Sequence, residues 1–290
     1  MCSPKVAEIV AARIAKEGRP QLSRRNLIKL GGATVAGAAL TGMGAPSRKA
    51  SAQAQSAGGY TVVDLTHVFS VTQPVYTLEE VATRETYLSV ENDGYFIQHW
   101  TFYEHSGTHV DFPAHFIADG QTVDQYDAGL LYAPAVVIDI TAKAAENADS
   151  MLEVADIEAH EAEHGEIVEG AIVFMNSGWT NRWPEANFRN ADDAGVQHYP
   201  GFSGEAVTWL IENRNINGIG VDTLSLDPGN STTFDAHYVV CGSGKFGIEN
   251  VANVDQIQGI AGVQIVVGVP RWEASGGGPA RILALVPVQA

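Results

Sequence analysis

His105-Ser-Gly-Thr-His109-Val-Asp111-Phe-Pro-Ala-His115 holds three of the chain's nine histidines and a carboxylate. Extended backbone sends alternate side chains to one face, so a strand through this segment projects His105, His109, Asp111 and His115 the same way. Gly107 leaves a gap between the first two, and Pro113 ends normal strand pairing beyond it. A helix is disfavoured, because Gly107, Thr108, Val110 and Pro113 all resist one. Imidazoles and a carboxylate facing one side suit a borderline divalent cation, with Zn²⁺ first and Mn²⁺ as the alternative. A set of three ligands leaves a coordination position for water, which is the condition for catalysis. The competing reading is a surface loop that happens to be rich in histidine.

Outward from this segment the chain is rich in apolar, β-branched runs. Thr61–Leu65, Val136–Ile140, Ala171–Phe174, Gly218–Val221, Gln264–Val269 and Ile282–Val286 read as buried strands. Helical periodicity covers Val154–His164 and Ser203–Arg214, the latter with Ser203 as a plausible N-cap, and a short helix starts near Asn253. Strands outnumber helices and alternate with them only partly. The expectation is a mixed α/β domain built on a curved sheet or barrel, over residues 55–290 and without an internal linker or repeat.

A second cluster lies downstream. Phe234-Asp-Ala-His237-Tyr-Val-Val reads as a strand or a helix start, and it runs into a glycine-rich turn at Gly242, Gly244 and Gly247. Glu249 follows apolar Ile248, where a carboxylate is costly unless paired or metal-bound. Taken alone, a satisfied buried Glu beside a core His explains the pair equally well.

The N-terminal part reads as an address. Ser23-Arg24-Arg25-Asn-Leu-Ile-Lys29 fits the twin-arginine pattern, a Gly/Ala-rich run follows to Met43, and Ala52-Gln53-Ala54 offers a cleavage site. Residues 1–54 are therefore expected to be a signal peptide and extension, and the rest to be exported to the periplasm or beyond. That route carries folded protein, so a metal site would fill in the cytoplasm rather than with whichever ion binds tightest outside. The whole chain carries a formal net charge of −17, and from residue 55 onward it has eight basic against 32 acidic residues. This balance excludes nucleic acid and anionic membrane as partners. It also fits adaptation to high salt. Past the signal only Cys241 remains, which rules out an internal disulfide and reads as a small buried hydrophobe.

The long motif His105-x-Gly-Thr-His109-x-Asp111-x-Pro-x-His115 matches without departure the signature of the cyclase family of metal-dependent hydrolases, which includes bacterial kynurenine formamidases (arylformamidases) and isatin hydrolases. The resemblance runs from about Val63 to Val286. It takes in Asp64-Leu-Thr-His67, Asn176-Ser-Gly-Trp179, Gly220-Val-Asp222-Thr-Leu-Ser225, the His237/Glu249 pair and Gly278-Pro-Ala-Arg281. Relatives carry Thr-Gly-Trp where this chain has Ser177-Gly178-Trp179. The resemblance implies a swivelling β/β/α-type domain, a homo-oligomer (dimer or tetramer), and a centre of one or two metal ions. It implies that His105, His109 and Asp111 hold a first ion, and that Asp111, His237 and Glu249 hold a second where present. His115 would serve in proton transfer or join the second ion.

The chemistry of the residue types agrees. A bound divalent ion lowers the pKa of water from about 15.7 to about 7, and the resulting hydroxide can attack an amide carbonyl. An imidazole can return a proton to the leaving nitrogen, contributing roughly 10²–10⁴-fold. The expected substrate is a small aromatic amide, either an aryl formamide or a cyclic amide such as isatin. The alternative from another class is an exported protein that binds metal or a small ligand without turnover. Tyr95, Phe96, Trp100, Phe102, Phe112 and Phe116 flank the motif and offer stacking surface, as do Trp179 and Trp183 further on. Asp222 and Ser225 follow a strand and read first as turn residues, with hydrogen bonds that support the site as the alternative. His160 and His164 lie on an acidic helix and read as solvated, and His99 and His198 have no evident partner.

Overall fold

The computed structural model describes residues 15–16, 56–57 and 59–288. Apart from Ala15 and Lys16, the expected export segment lies outside the described residues.

In chain order the strands are β1 (Ser56–Ala57), β2 (Tyr60–Asp64), β3 (Thr83–Leu88), β4 (Ile97–Thr101), β5 (His109–Asp111), β6 (Tyr132–Asp139), β7 (Met151–Leu152), β8 (Ile172–Asn176), β9 (Gly201–Phe202), β10 (Gly218–Val221), β11 (Phe246–Glu249), β12 (Gln264–Gly268), β13 (Gly277–Pro279) and β14 (Arg281–Pro287). Ten of them form one curled sheet in the order β1-β2-β14-β12-β6-β8-β10-β11-β5-β13. β6, β8, β10 and β11 run parallel, while β5 is antiparallel to both β11 and β13. All six strand runs read from the sequence fall in this sheet, and the mixed α/β architecture on a curled sheet is the fold class expected.

The parallel centre is apolar throughout because both its faces are buried. Along β8, Ile172 and Phe174 pack into a core with Phe112, Val137 and Phe246. Val173 and Met175 face the opposite core with Ile157, Leu210 and Cys241. That second core is closed by helices Val154–His164 and Gly204–Arg214, the first with the bounds expected. Ser203 caps the second helix by accepting from the Ala206 N–H at 3.1 Å. The segment through His237, which the sequence pattern allows as strand or helix, is a helix, Asp235–Gly242. The short helix near Asn253 is a 3₁₀ turn, Val254–Ile257.

Residues 84–101 form a compact unit of their own. In it β3 and β4 pair across the helical turn Val90–Asp93, which Ser89 caps through Asn92 N–H at 3.2 Å. His99, for which the sequence offers no partner, lies 3.0 Å from Glu85 within this hairpin.

Candidate metal centre

The 105–115 segment is not one strand. Only His109–Asp111 is a strand, and Pro113–His115 is a 3₁₀ turn with Pro113 near its start. Gly107 sits at φ +64°, a left-handed conformation that suits glycine, so alternation fails on the N-terminal side as well. The side chains still converge, because the turn brings His115 back to stack on His105 with ring centroids 3.7 Å apart.

β5 carries His109 and Asp111 on one face. Its register places Glu249 of β11 directly across from His109, and Gly247 and Gly277 on either side of Asp111. Only glycine fits at 277, since a Cβ there would stand 2.6 Å from His105 Cε1. His105 can therefore lie over Asp111, with Nδ1 2.5 Å from Oδ1.

The histidine tautomers follow from their backs. His109 Nδ1 lies 2.8 Å from the Gly107 carbonyl oxygen, and His237 Nδ1 lies 2.6 Å from Asp227 Oδ2. Each Nδ1 donates, so each Nε2 turns a lone pair inward. His109 Nε2 lies 3.3 Å from both Asp111 Oδ1 and Glu249 Oε2. His237 Nε2 lies 3.1 Å from Glu249 Oε1 and 3.5 Å from Asp111 Oδ2. Acceptors thus face acceptors, and His109 Nε2 and Asp111 Oδ2 are buried without a hydrogen-bond partner. Such a set needs protons or a cation between its members, so the residues present fit a divalent ion. Donor atoms of His105, Asp111 and His115 lie within 4.8 Å of one another, as do those of His109, Asp111 and Glu249. Asp111 belongs to both groups.

Without a cation the charges shift as this logic requires. Burial opposes the His109 cation, but Asp111 and Glu249 override it and raise the pKa to about 10. Burial also opposes ionisation of Asp111, yet His109 and His105 hold its carboxyl well below the usual range. His237 is raised well above its ordinary value, against burial, by Asp111, Asp227 and Glu249. His115 goes the other way: burial takes it down to about 4, with Asp111 opposing only in part.

The centre forms the floor of a cavity of about 240 Å³, walled by Tyr76, Phe116, Leu224 and Phe234. Phe116 stacks on the His237 ring at 4.5 Å. Of the aromatics singled out in the sequence, Phe116 lines this cavity. Phe112 is core, Trp179 is buried beside Phe188 and Tyr199, and Trp183 stacks on His67 at 4.2 Å. Asp222 holds the Ser177–Thr180 loop by accepting from Ser177 Oγ at 2.5 Å and Trp179 N–H at 2.8 Å. Asp64 and Arg281, far apart in the chain, form an ion pair at 2.5 Å. His198 has partners in Asp149 and Asp192, at 2.8 and 3.6 Å.

Sequence reasoning missed Asp227, Tyr76 and Phe234. A signal for Asp227 existed, since a ligand histidine needs an acceptor behind it and Asp227-Pro228 follows directly on the apolar Leu226. Tyr76 and Phe234 carry no comparable mark.

The family model described as a putative cyclase matches residues 63–228. The isatin hydrolase of Roseibium aggregatum is 34% identical over 249 residues, covering 79% of this chain and 93% of that protein. A solved isatin hydrolase bound to the product analogue thioisatinate is 32% identical with a TM-score of 0.75, over 80% of this chain and 94% of the other. The kynurenine formamidase of Bacillus cereus is 30% identical over 148 residues, which are 51% of this chain and 60% of that protein. With the curled mixed sheet already described, the extent of these matches places the chain in the cyclase family of hydrolases.

Proposed function

We propose that the protein is a metal-dependent hydrolase of small aromatic amides, either aryl formamides or cyclic amides such as isatin. One observation carries this reading: inward-facing lone pairs of His109 and His237 meet the buried carboxylates of Asp111 and Glu249 at the floor of an aromatic-walled cavity. Names among the relatives support the substrate class, since both isatin and formylated kynurenine are aromatic amides.

His105, His109, Asp111, His237 and Glu249 hold one or two divalent ions, Zn²⁺ first and Mn²⁺ second by donor type. When bound, the ion supplies an acidified water and an electrophile for the amide carbonyl. The protein's own groups do the rest. Phe116 and Phe234 hold the aromatic ring and keep bulk water off the carbonyl. His105 and Asp227 orient their neighbours at the floor. His115, stacked on His105 at the cavity wall, takes a proton on its ring nitrogen and returns it to the leaving amide nitrogen. We also place the protein in the exported fraction by the twin-arginine route, as a dimer or tetramer. A fusion reporter and light scattering check those two points.

The test begins with removal of metal by chelator, then restoration with Zn²⁺ or Mn²⁺, against formanilides, isatin and small lactones. Activity should vanish and return. His115→Ala should lower turnover by roughly 10²–10⁴-fold while the ion content stays near that of the parent protein. Full activity after exhaustive chelation sinks the proposal.

A further inference from the structure

Three of the nine histidine side chains make no hydrogen bond within the described residues. One is His115, in the centre described above. The other two, His160 and His164, stand four residues apart on the helix Val154–His164. Residues at this spacing lie one above the other on the same helix face. Their ring centroids are 4.7 Å apart and the ring planes cross at 53°. The acidic sequence around them predicts solvated side chains, but both line a cleft of about 520 Å³ between the Gly165–Val168 turn, the start of β6 and the Ile257–Gln264 segment. His160 is half-buried there, and His164 keeps 46% of its side chain exposed.

We propose that His160 and His164 chelate a transition-metal cation of the Cu²⁺ or Ni²⁺ type, at a peripheral site separate from the metal centre. Paired imidazoles at i and i+4 are a known way for a helix to present two nitrogen ligands to one ion. Rings whose centroids stand 4.7 Å apart are close enough for one nitrogen of each to reach a common ion at metal–nitrogen bonds of about 2.0–2.1 Å. Burial and the neighbouring His164 push the His160 pKa down, which leaves that ring neutral and its lone pair available. The nearby carboxylates bias the helix toward a cation. Glu163 Oε1 lies 3.9 Å from His164 Nε2, whereas Glu161 is already engaged by Arg214 at 2.6 Å and does not compete. The open cleft leaves room for water to complete the coordination shell. Imidazole pairs with few anionic ligands favour Cu²⁺, then Ni²⁺, over Mn²⁺, so this site and the carboxylate-rich centre sort ions differently.

The experiment uses the untagged full chain with its metal centre already loaded with Zn²⁺. Cu²⁺ is titrated by calorimetry and followed by electron paramagnetic resonance. One further equivalent is expected, with hyperfine structure from two nitrogens. His160→Ala and His164→Ala should each weaken that equivalent at least tenfold and leave hydrolysis unchanged, whereas His198→Ala should alter neither. A measurement on the unaltered protein guards against misfolded variants: one equivalent of Cu²⁺ should protect His160 and His164, and not His99, from acylation by diethylpyrocarbonate, read by mass spectrometry. Absence of the extra equivalent, its persistence in both alanine variants, or no protection of the two rings overturns the proposal.

Discussion

Asp227 accepts from His237 at Nδ1, and it also accepts from the backbone N–H groups of Ala236 and His237, at 2.8 and 3.2 Å. One carboxylate therefore fixes a helix start and the tautomer of a proposed ligand together. Asp227→Asn is expected to weaken metal binding about 10–100-fold while the fold survives, checked by competition with a chromogenic chelator. His67 makes a different prediction. Burial takes its pKa down to about 4, so the folded protein keeps the ring neutral where the unfolded chain, near 6.5, is protonated. Stability is undiminished above pH 6.5 and falls as the pH drops toward 4, by up to about 1.4 kcal/mol per pH unit from this group. Urea titrations across that window should show a shallower decline for His67→Asn; an identical slope removes His67 as the cause. The cluster from His105 to His115 was legible from residue types and spacing, whereas His237 and Glu249 joined the proposed ligands only through the family resemblance. The groups that set His237's tautomer and wall the cavity were not legible, because they reach the site only through tertiary contact.

Elements with a clear period were legible to the residue. Helix Val154–His164 has the bounds read from the sequence, and Ser203 caps its partner helix. Ser203→Ala should cost about 1 kcal/mol in chemical denaturation without affecting activity. The 105–115 segment shows where periodicity misleads. Gly107 in the left-handed region and the turn at Pro113 break the alternation, yet the four side chains gather because that turn folds His115 onto His105. Period two gave the right neighbours by the wrong path. Helix Asp235–Gly242 was ambiguous for a physical reason. Its first N–H groups are satisfied by Asp227, outside the helix, and no local cap advertises the start.

At the scale of the molecule, charge and core pull apart. Eight basic residues against 32 acidic ones after residue 54 leave a surface that repels itself, while the sheet between its two cores is apolar on both faces. Melting temperature should rise between low and molar sodium chloride as the repulsion is screened; a fall would show that attractive pairs such as Arg281–Asp64 and Arg214–Glu161 dominate instead. The mixed sheet was legible because β-branched runs recur along the whole chain. The order of its strands was not, since pairing is non-local. That order has a kinetic side. β5 is only three residues long, and it is held between β11 and β13, both far downstream; the Thr108 hydroxyl bond to the Asn250 carbonyl beside it spans 142 residues. Contacts of such long sequence separation are slow to form. The full proposed ligand set therefore gathers only when these distant segments have met, and a chain truncated before the 235–242 helix lacks both His237 and Glu249. On the proposed ligand set, binding of a second ion reports that the downstream segments carrying His237 and Glu249 have joined β5.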